Sequence, residues 1–115
     1  MVTDDPYPLR VGVGFDAHRF APDRPLVLGG LRLREHDGLQ GHSDADVLTH
    51  AVMDALLGAA GLEDIGSLFP DTDPAFAGAD SVGLLAAVAD LLRDRDIEVV
   101  NVDAVVICEE PRIAP

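Results

Sequence analysis

The sequence predicts an α+β fold in which a mixed β-sheet carries helices packed on one face. Three observations predict this class. Segments rich in β-branched residues lie near both ends of the chain, two glycines separate a pair of short β-prone runs, and two segments repeat apolar residues at helical spacing. With 115 residues the chain is long enough for one core. We therefore expect a disordered lead-in over residues 1–8 and a single domain over residues 9–115.

Composition and charge exclude several classes of function. A net charge of −13, from 21 acidic and 8 basic residues, argues against nucleic acid as the main partner. An anionic ligand would need a cation in its site, which favours a bound metal. The single cysteine excludes an intrachain disulfide framework, and neither a signal peptide nor a membrane span is recognisable. We expect a soluble cytoplasmic protein with no membrane partner.

The first strand is predicted over residues 9–15 and leads into Asp16-Ala17-His18. Because side chains alternate along an extended chain, Asp16 and His18 would point to the same side and present two ligands to one ion. The pair is a weak signal by itself, since short Asp-x-His matches arise by chance in solvated loops. Next, Gly29-Gly30 between two β-prone runs predicts a hairpin, and residues 35–39 predict a polar loop.

The first helix is predicted from the apolar rhythm that begins at Val47, with Ser43 or Asp44 as its cap and an end near residues 58–61. Asp46, His50 and Asp54 recur every four residues and form a polar stripe. Together with His42 and Ser43 just before the helix, where N–H groups attract anions, the stripe favours a combined metal and phosphate site. Ordinary caps and a hydrogen-bonded boundary histidine would explain the same residues.

Residues 61–80 contain prolines, glycines and carboxylates that exclude a long regular element, and they form either a functional loop or a surface loop held by Phe69 and Phe76. A packing helix is predicted from Asp80 or Ser81. Residues 97–108 are β-prone, and both faces of the second half are apolar, which predicts a buried central strand covered by helices or another subunit. Such a strand needs neighbours on both edges, so we expect the domain to continue beyond Pro115.

Several of these segments together resemble one enzyme family, the 2-C-methyl-D-erythritol 2,4-cyclodiphosphate synthases of non-mevalonate isoprenoid and terpenoid biosynthesis. The resemblance covers residues 10–115. The motifs that carry it are Gly14-Phe15-Asp16-Ala17-His18, Gly29-Gly30, Gly41-His42-Ser43-Asp44-Ala45-Asp46 and Asp64-Ile65-Gly66 followed by Leu68-Phe69-Pro70-Asp71-Thr72-Asp73.

The resemblance implies a homotrimer with active sites between subunits, and a lyase that converts 4-diphosphocytidyl-2-C-methyl-D-erythritol 2-phosphate into the cyclic diphosphate and CMP. It implies Asp16, His18 and His50 as ligands of Zn²⁺, an arrangement that leaves a fourth position open. A second ion, Mg²⁺ or Mn²⁺, is implied with the substrate. The family threonine and glutamate that serve the phosphates and this ion would lie beyond Pro115, as would the last strand and helix.

The resemblance also assigns substrate contacts. His42 would stabilise the transition state, and Ser43 would lie with it against the substrate. Cys108 would be a small pocket or core residue, and Arg112 stands where the family often has lysine. The full set of implied substrate-binding residues is Asp16, Ala17, His18, His42, Ser43, Asp64, Ile65, Gly66, Phe69, Pro70, Asp71, Thr72, Asp73, Cys108, Glu109, Glu110, Pro111, Arg112, Ile113 and Ala114.

Two alternatives remain open at this stage. A metal-dependent nucleotide phosphohydrolase would use the same Asp/His/His ion to activate water. A truncated trimer would bind metal and a cytidine nucleotide without turnover.

Overall fold

The computed structural model describes residues 9–41, 44–70 and 80–108. Within these ranges the chain forms short strands followed by helices, which confirms the α+β class. The elements, in chain order, are β1 (Phe20–Ala21), β2 (Leu26–Leu28), β3 (Leu31–Arg34), β4 (Gly38–Leu39), α1 (Val47–Ala59), α2 (Ile65–Leu68) and α3 (Ser81–Asp94). No helix in the described ranges is both long and apolar enough to cross a membrane.

The predicted glycine hairpin is confirmed. Strands β2 and β3 pair antiparallel, with Leu28 opposite Leu31 across the turn. Gly29 and Gly30 have φ values of +59° and +80°, which glycine adopts without a steric penalty. The polar loop predicted over residues 35–39 is wrong at its end, because Gly38 and Leu39 form β4, pair antiparallel with β1 and are buried.

The single mixed sheet is not formed by the described residues, which contain two separate two-stranded antiparallel sheets. Neither of the strands predicted over residues 9–15 and residues 97–108 belongs to a sheet. Both segments instead line one cavity of about 560 Å³ over α1, and neither meets a ladder partner within the described ranges. The prediction of a buried central strand is wrong here, since Val105 is 82% exposed.

Helix α1 begins one residue after Asp46, whose carboxylate accepts the Thr49 N–H. The cap is therefore Asp46, and the prediction of Ser43 or Asp44 is wrong. The helix ends before Gly61, whose φ is +73°, which confirms the predicted end near residues 58–61. Helix α3 begins at Ser81 with Asp80 as its cap, which confirms its predicted start. Its C-terminal Arg93 pairs with Asp90 at 2.6 Å.

Helix α1 joins two apolar clusters. Its first turn packs Val47 and Leu48 against the cluster formed by Leu26, Leu28, Leu39 and Ala45. Farther along, Met53 and Leu57 pack against Val88 of α3, and Phe69 packs at the edge of this second cluster. Phe69 therefore packs the start of its loop against the second cluster, whereas Phe76 lies outside the described residues.

Candidate metal centre

Three predicted ligands meet where the segment before β1 crosses α1. His18 Nε2 lies 2.9 Å from Asp16 Oδ2, and His50 Nδ1 lies 3.2 Å from the same oxygen. The ligand atoms of the three residues all lie within 4.8 Å of one another. The prediction that Asp16 and His18 share one side of an extended chain is confirmed, and His50 comes from the second turn of α1.

Two glycines allow the segment before β1 to reach α1. A Cβ placed on Gly12 would lie 1.9 Å from the Ala55 carbonyl oxygen, and one on Gly14 would lie 1.8 Å from the Ala51 carbonyl oxygen. Any larger residue would push the segment off the helix. Residues 12, 14, 16 and 18 are all turned inward by the two-residue alternation of the extended chain. The glycine contacts therefore place Asp16 beside His50.

Each imidazole uses its second nitrogen to contact a partner behind the cluster. His18 Nδ1 lies 2.6 Å from the Gln40 carbonyl oxygen, and His50 Nε2 lies 2.8 Å from Ser81 Oγ. This leaves one nitrogen of each ring facing the Asp16 carboxylate. Two imidazole nitrogens and one carboxylate oxygen, with each histidine held from behind, form a donor set that suits Zn²⁺. The residues present therefore fit a divalent metal.

The Asp16 carboxylate is adapted to stay ionised. Partial burial acts to raise its pKa, but hydrogen bonds and positive charge from His50 and His18 outweigh burial, so the pKa of Asp16 lies below its ordinary value. A carboxylate with a lowered pKa stays negative and can bind a cation over a wide pH range.

Asp46 connects the glycine hairpin to the start of α1. Its side chain is fully buried, and its two oxygens accept the N–H groups of Gly29 at 2.9 Å and Gly30 at 2.7 Å. The same oxygens accept the N–H of Thr49 at 3.1 Å and its hydroxyl at 2.8 Å. Because His50 follows Thr49 directly, these four hydrogen bonds also fix the helical turn that carries this candidate metal ligand.

Asp44 and Asp46 face different elements, since Ala45 between them has φ +55°. Asp46 contacts the hairpin, whereas Asp44 accepts the Ser81 N–H at 2.9 Å at the start of α3.

The predicted substrate segment around Asp64 is attached to the same helix. Asp54, one turn beyond His50, accepts the Ile65 N–H at 2.9 Å. Asp64 caps the single turn of α2 by accepting the Ser67 N–H at 2.9 Å, and both Asp64 and Gly66 are exposed. Phe69 and Pro70 are half-buried.

Cys108 is exposed, so the expectation of a core position is wrong. It does line the cavity that Asp16, Ala17 and His18 also line, which agrees with the alternative of a pocket residue. The remaining predicted site residues lie outside the described ranges: His42, Ser43, Asp71, Thr72, Asp73, Glu109, Glu110, Pro111, Arg112, Ile113 and Ala114.

Several supporting residues were missed by the sequence analysis. The Gly-x-Gly spacing before Asp16 is visible in the sequence, and it signals a close backbone approach. Asp46 stands three residues before Thr49, which is the spacing of a helix cap. Nothing in the sequence pairs Ser81 or Gln40 with a histidine, because these contacts span 31 and 22 residues.

Comparison with known proteins identifies the family. The YgbB family model matches residues 9–115. The chain belongs to the YgbB family. It is 60% identical over 107 residues to the 2-C-methyl-D-erythritol 2,4-cyclodiphosphate synthase of Thermosynechococcus vestitus, a match that covers 93% of the chain and 66% of that relative. It is 57% identical to the bifunctional enzyme IspD/IspF of Desulforudis audaxviator over 94% of the chain and 27% of that relative.

Solved structures of this YgbB family member's relatives agree with the fold. A CDP-bound form of 2C-methyl-D-erythritol-2,4-cyclodiphosphate synthase is 47% identical, with a TM-score of 0.69 over 76% of the chain and 58% of that protein. The CDP complex of IspF from Plasmodium falciparum is 31% identical, with a TM-score of 0.58 over 75% of the chain and 51% of that protein. The chain thus spans less than two thirds of the length of these relatives.

Proposed function

We propose that the protein converts 4-diphosphocytidyl-2-C-methyl-D-erythritol 2-phosphate into 2-C-methyl-D-erythritol 2,4-cyclodiphosphate and CMP. In this reaction the 2-phosphate oxygen forms a bond to the β-phosphorus, and the bond from that phosphorus to the CMP oxygen breaks. The observation that carries the proposal is the convergence of Asp16, His18 and His50 in a chain of this family. The pathway is non-mevalonate isoprenoid biosynthesis, and the compartment we propose is the cytoplasm.

Zn²⁺ is the metal we propose for the three ligands, and Mg²⁺ or Mn²⁺ is proposed as a second ion that arrives with the substrate. A zinc ion held here would supply a Lewis acid for a phosphate oxygen. The protein itself holds the ligands in place: the Asp16 carboxylate contacts both rings, and each ring is held from behind. This rigidity is what phosphoryl transfer needs, because catalysis in such reactions depends mostly on positioning and charge.

The substrate contacts are proposed by motif. His42 is the proposed stabiliser of the transition state, with Ser43 beside it. The methylerythritol portion is assigned to Asp64–Gly66 and Phe69–Asp73, and the cytidine to Cys108–Ala114. The hydrogen bond from Ile65 to Asp54 supports the assignment of Asp64–Gly66 to the methylerythritol portion, because it holds Asp64–Gly66 at a fixed distance along α1 from His50.

A homotrimer with active sites at subunit interfaces is also part of the proposal. The segment before β1 turns Leu9, Val11, Val13 and Phe15 outward, and each is at least 78% exposed. Ile107 is 93% exposed as well. Apolar side chains exposed in such a row are typical of a surface that another subunit covers.

The reaction can be tested with the cytidyl substrate in H₂¹⁸O, with Zn²⁺ and Mg²⁺ supplied. The synthase proposal predicts CMP and a cyclic diphosphate, neither of which contains solvent oxygen. Linear products that carry ¹⁸O would establish a phosphohydrolase instead. Nucleotide binding without CMP release would indicate passive binding and would refute the catalytic proposal.

The metal ligands can be tested separately from turnover. Replacement of His50 by alanine removes one ligand but retains a residue that favours the helix, so we expect zinc content to fall while far-UV circular dichroism is preserved. His36→Ala is a matched control, because His36 is exposed and pairs with Asp37 away from the cluster. Equal zinc content in both variants would contradict the ligand assignment.

A further inference from the structure

A series of hydrogen bonds extends from His50 on the side of its ring away from Asp16. His50 Nε2 lies 2.8 Å from Ser81 Oγ, and Ser81 Oγ donates in turn to Asp44 Oδ1. The Ser81 backbone N–H donates to the other oxygen of Asp44, at 2.9 Å. Ser81 is fully buried at the first residue of α3. These hydrogen bonds therefore connect the start of α3, the residues before α1 and the proposed metal ligand His50.

The direction of these hydrogen bonds is fixed by the number of protons. A carboxylate only accepts, so the hydroxyl proton of Ser81 must be directed to Asp44. A serine hydroxyl has one proton, and Ser81 can therefore only accept from His50. Nε2 of His50 must then carry a hydrogen. With its hydrogen on Nε2, His50 has Nδ1 left to bind a metal, and Nδ1 is the nitrogen that faces Asp16.

We propose that Ser81 and Asp44 are positioning residues that hold His50 in the tautomer required for metal binding. This inference rests on the proposed metal site. His18 obtains the same support from the Gln40 backbone carbonyl, which no side-chain substitution removes. The support of His50 comes from side chains, so it can be removed by mutation without changing any ligand.

The size of the effect follows from the role of such partners. Residues that orient a metal-binding histidine from behind contribute roughly 10- to 100-fold to metal affinity. Without the Ser81 hydroxyl, His50 can populate the tautomer with hydrogen on Nδ1, and its ring loses the contact that Ser81 makes with Nε2. We therefore expect Ser81→Ala to raise the dissociation constant for Zn²⁺ by roughly 10- to 100-fold.

The test measures Zn²⁺ affinity of the intact protein by competition with a chromophoric chelator. Ser81→Ala removes only the hydroxyl and keeps the N–H bond to Asp44. Asp44→Asn supplies an amide that can donate to Ser81, which allows the hydroxyl to turn toward His50 and favours the wrong tautomer. Both variants should lose affinity. Long-range ¹H–¹⁵N spectra of the metal-free protein should show hydrogen on Nε2 of His50 in the parent and a tautomer mixture in Ser81→Ala.

Asp80→Ala is the matched control. Asp80 caps the same helix through the Val82 N–H, but it is not part of the series of hydrogen bonds from His50 through Ser81 to Asp44. We expect it to lower stability while Zn²⁺ affinity stays within about threefold of the parent. If the parent binds Zn²⁺ and Ser81→Ala binds it with an affinity within threefold of the parent, this inference is overturned but the proposed metal site is not. An Asp80→Ala loss as large as that of Ser81→Ala would overturn it too, because helix disorder would then explain both. A parent that binds no Zn²⁺ would overturn the proposed metal site as well.

Discussion

Replacement of the buried Asp46 tests how the hairpin and α1 are held together. Its carboxylate accepts four hydrogen bonds, from Gly29, Gly30 and twice from Thr49, and the residue is fully buried. With a net contribution of about 1 kcal/mol for each bond, Asp46→Ala should lower the free energy of unfolding by roughly 4 kcal/mol. That loss is a large fraction of the 5–15 kcal/mol typical of a whole domain.

Two further variants separate the individual contacts. Asp46→Asn keeps one oxygen but places an amide NH₂ opposite the Gly30 N–H, while the Thr49 hydroxyl can rotate to compensate. We expect a loss of roughly 2 kcal/mol. Thr49→Val removes only the hydroxyl donor, at nearly constant side-chain shape, and should lower stability by about 1 kcal/mol.

Urea unfolding followed by circular dichroism measures these losses. Chelator should be present and protein concentration held constant, because metal binding and subunit association both add to apparent stability. An Asp46→Ala variant that loses less than about 1 kcal/mol would refute the reasoning. So would an Asn variant equal to the parent, since the two glycine N–H groups would then not need both oxygens.

Two more predictions concern Gly14 and Asp16 in the segment before β1. Gly14→Ala should weaken zinc binding more than tenfold and destabilise the fold by at least 1–3 kcal/mol, because its methyl group would overlap the Ala51 carbonyl. Gly58→Ala, a helical position with open space, should instead stabilise by about 0.5–1 kcal/mol, and similar losses in both would contradict the argument. The lowered pKa of Asp16 stabilises the metal-free fold above its unfolded pKa of about 4. That contribution is lost as pH falls through the lower folded value, so the stability difference between the parent and Asp16→Asn should shrink below about pH 4, and a constant difference from pH 6 to pH 3 would contradict it.

Local patterns were sufficient to predict α1, α3 and the hairpin, whereas the family resemblance supplied Asp16, His18 and His50 as a set of candidate metal ligands. Helical spacing after Val47 and the glycine at 61 delimit α1, and Gly29-Gly30 determines the turn that the structure contains. The alternation that places Asp16 and His18 on one side is a property of any extended chain. These features depend on neighbours in sequence, so the sequence alone is sufficient for them.

Tertiary contacts determine the features that the sequence analysis missed. A high content of β-branched residues cannot say whether residues 97–108 have a ladder partner, and among the described residues they have none. Carboxylates at 44 and 46 are both reasonable caps for α1, and the choice depends on contacts with Gly29 and Gly30, which are distant in sequence. The link from Ser81 to His50 likewise depends on how α3 packs against α1.

Anomalous diffraction at the zinc edge, from crystals of the protein loaded with Zn²⁺, tests the metal centre most directly. We predict one peak per chain, about 2.0–2.2 Å from Asp16 Oδ2, His18 Nε2 and His50 Nδ1. A peak that contacts other residues, or the absence of a peak between these three side chains, would contradict the proposed metal centre.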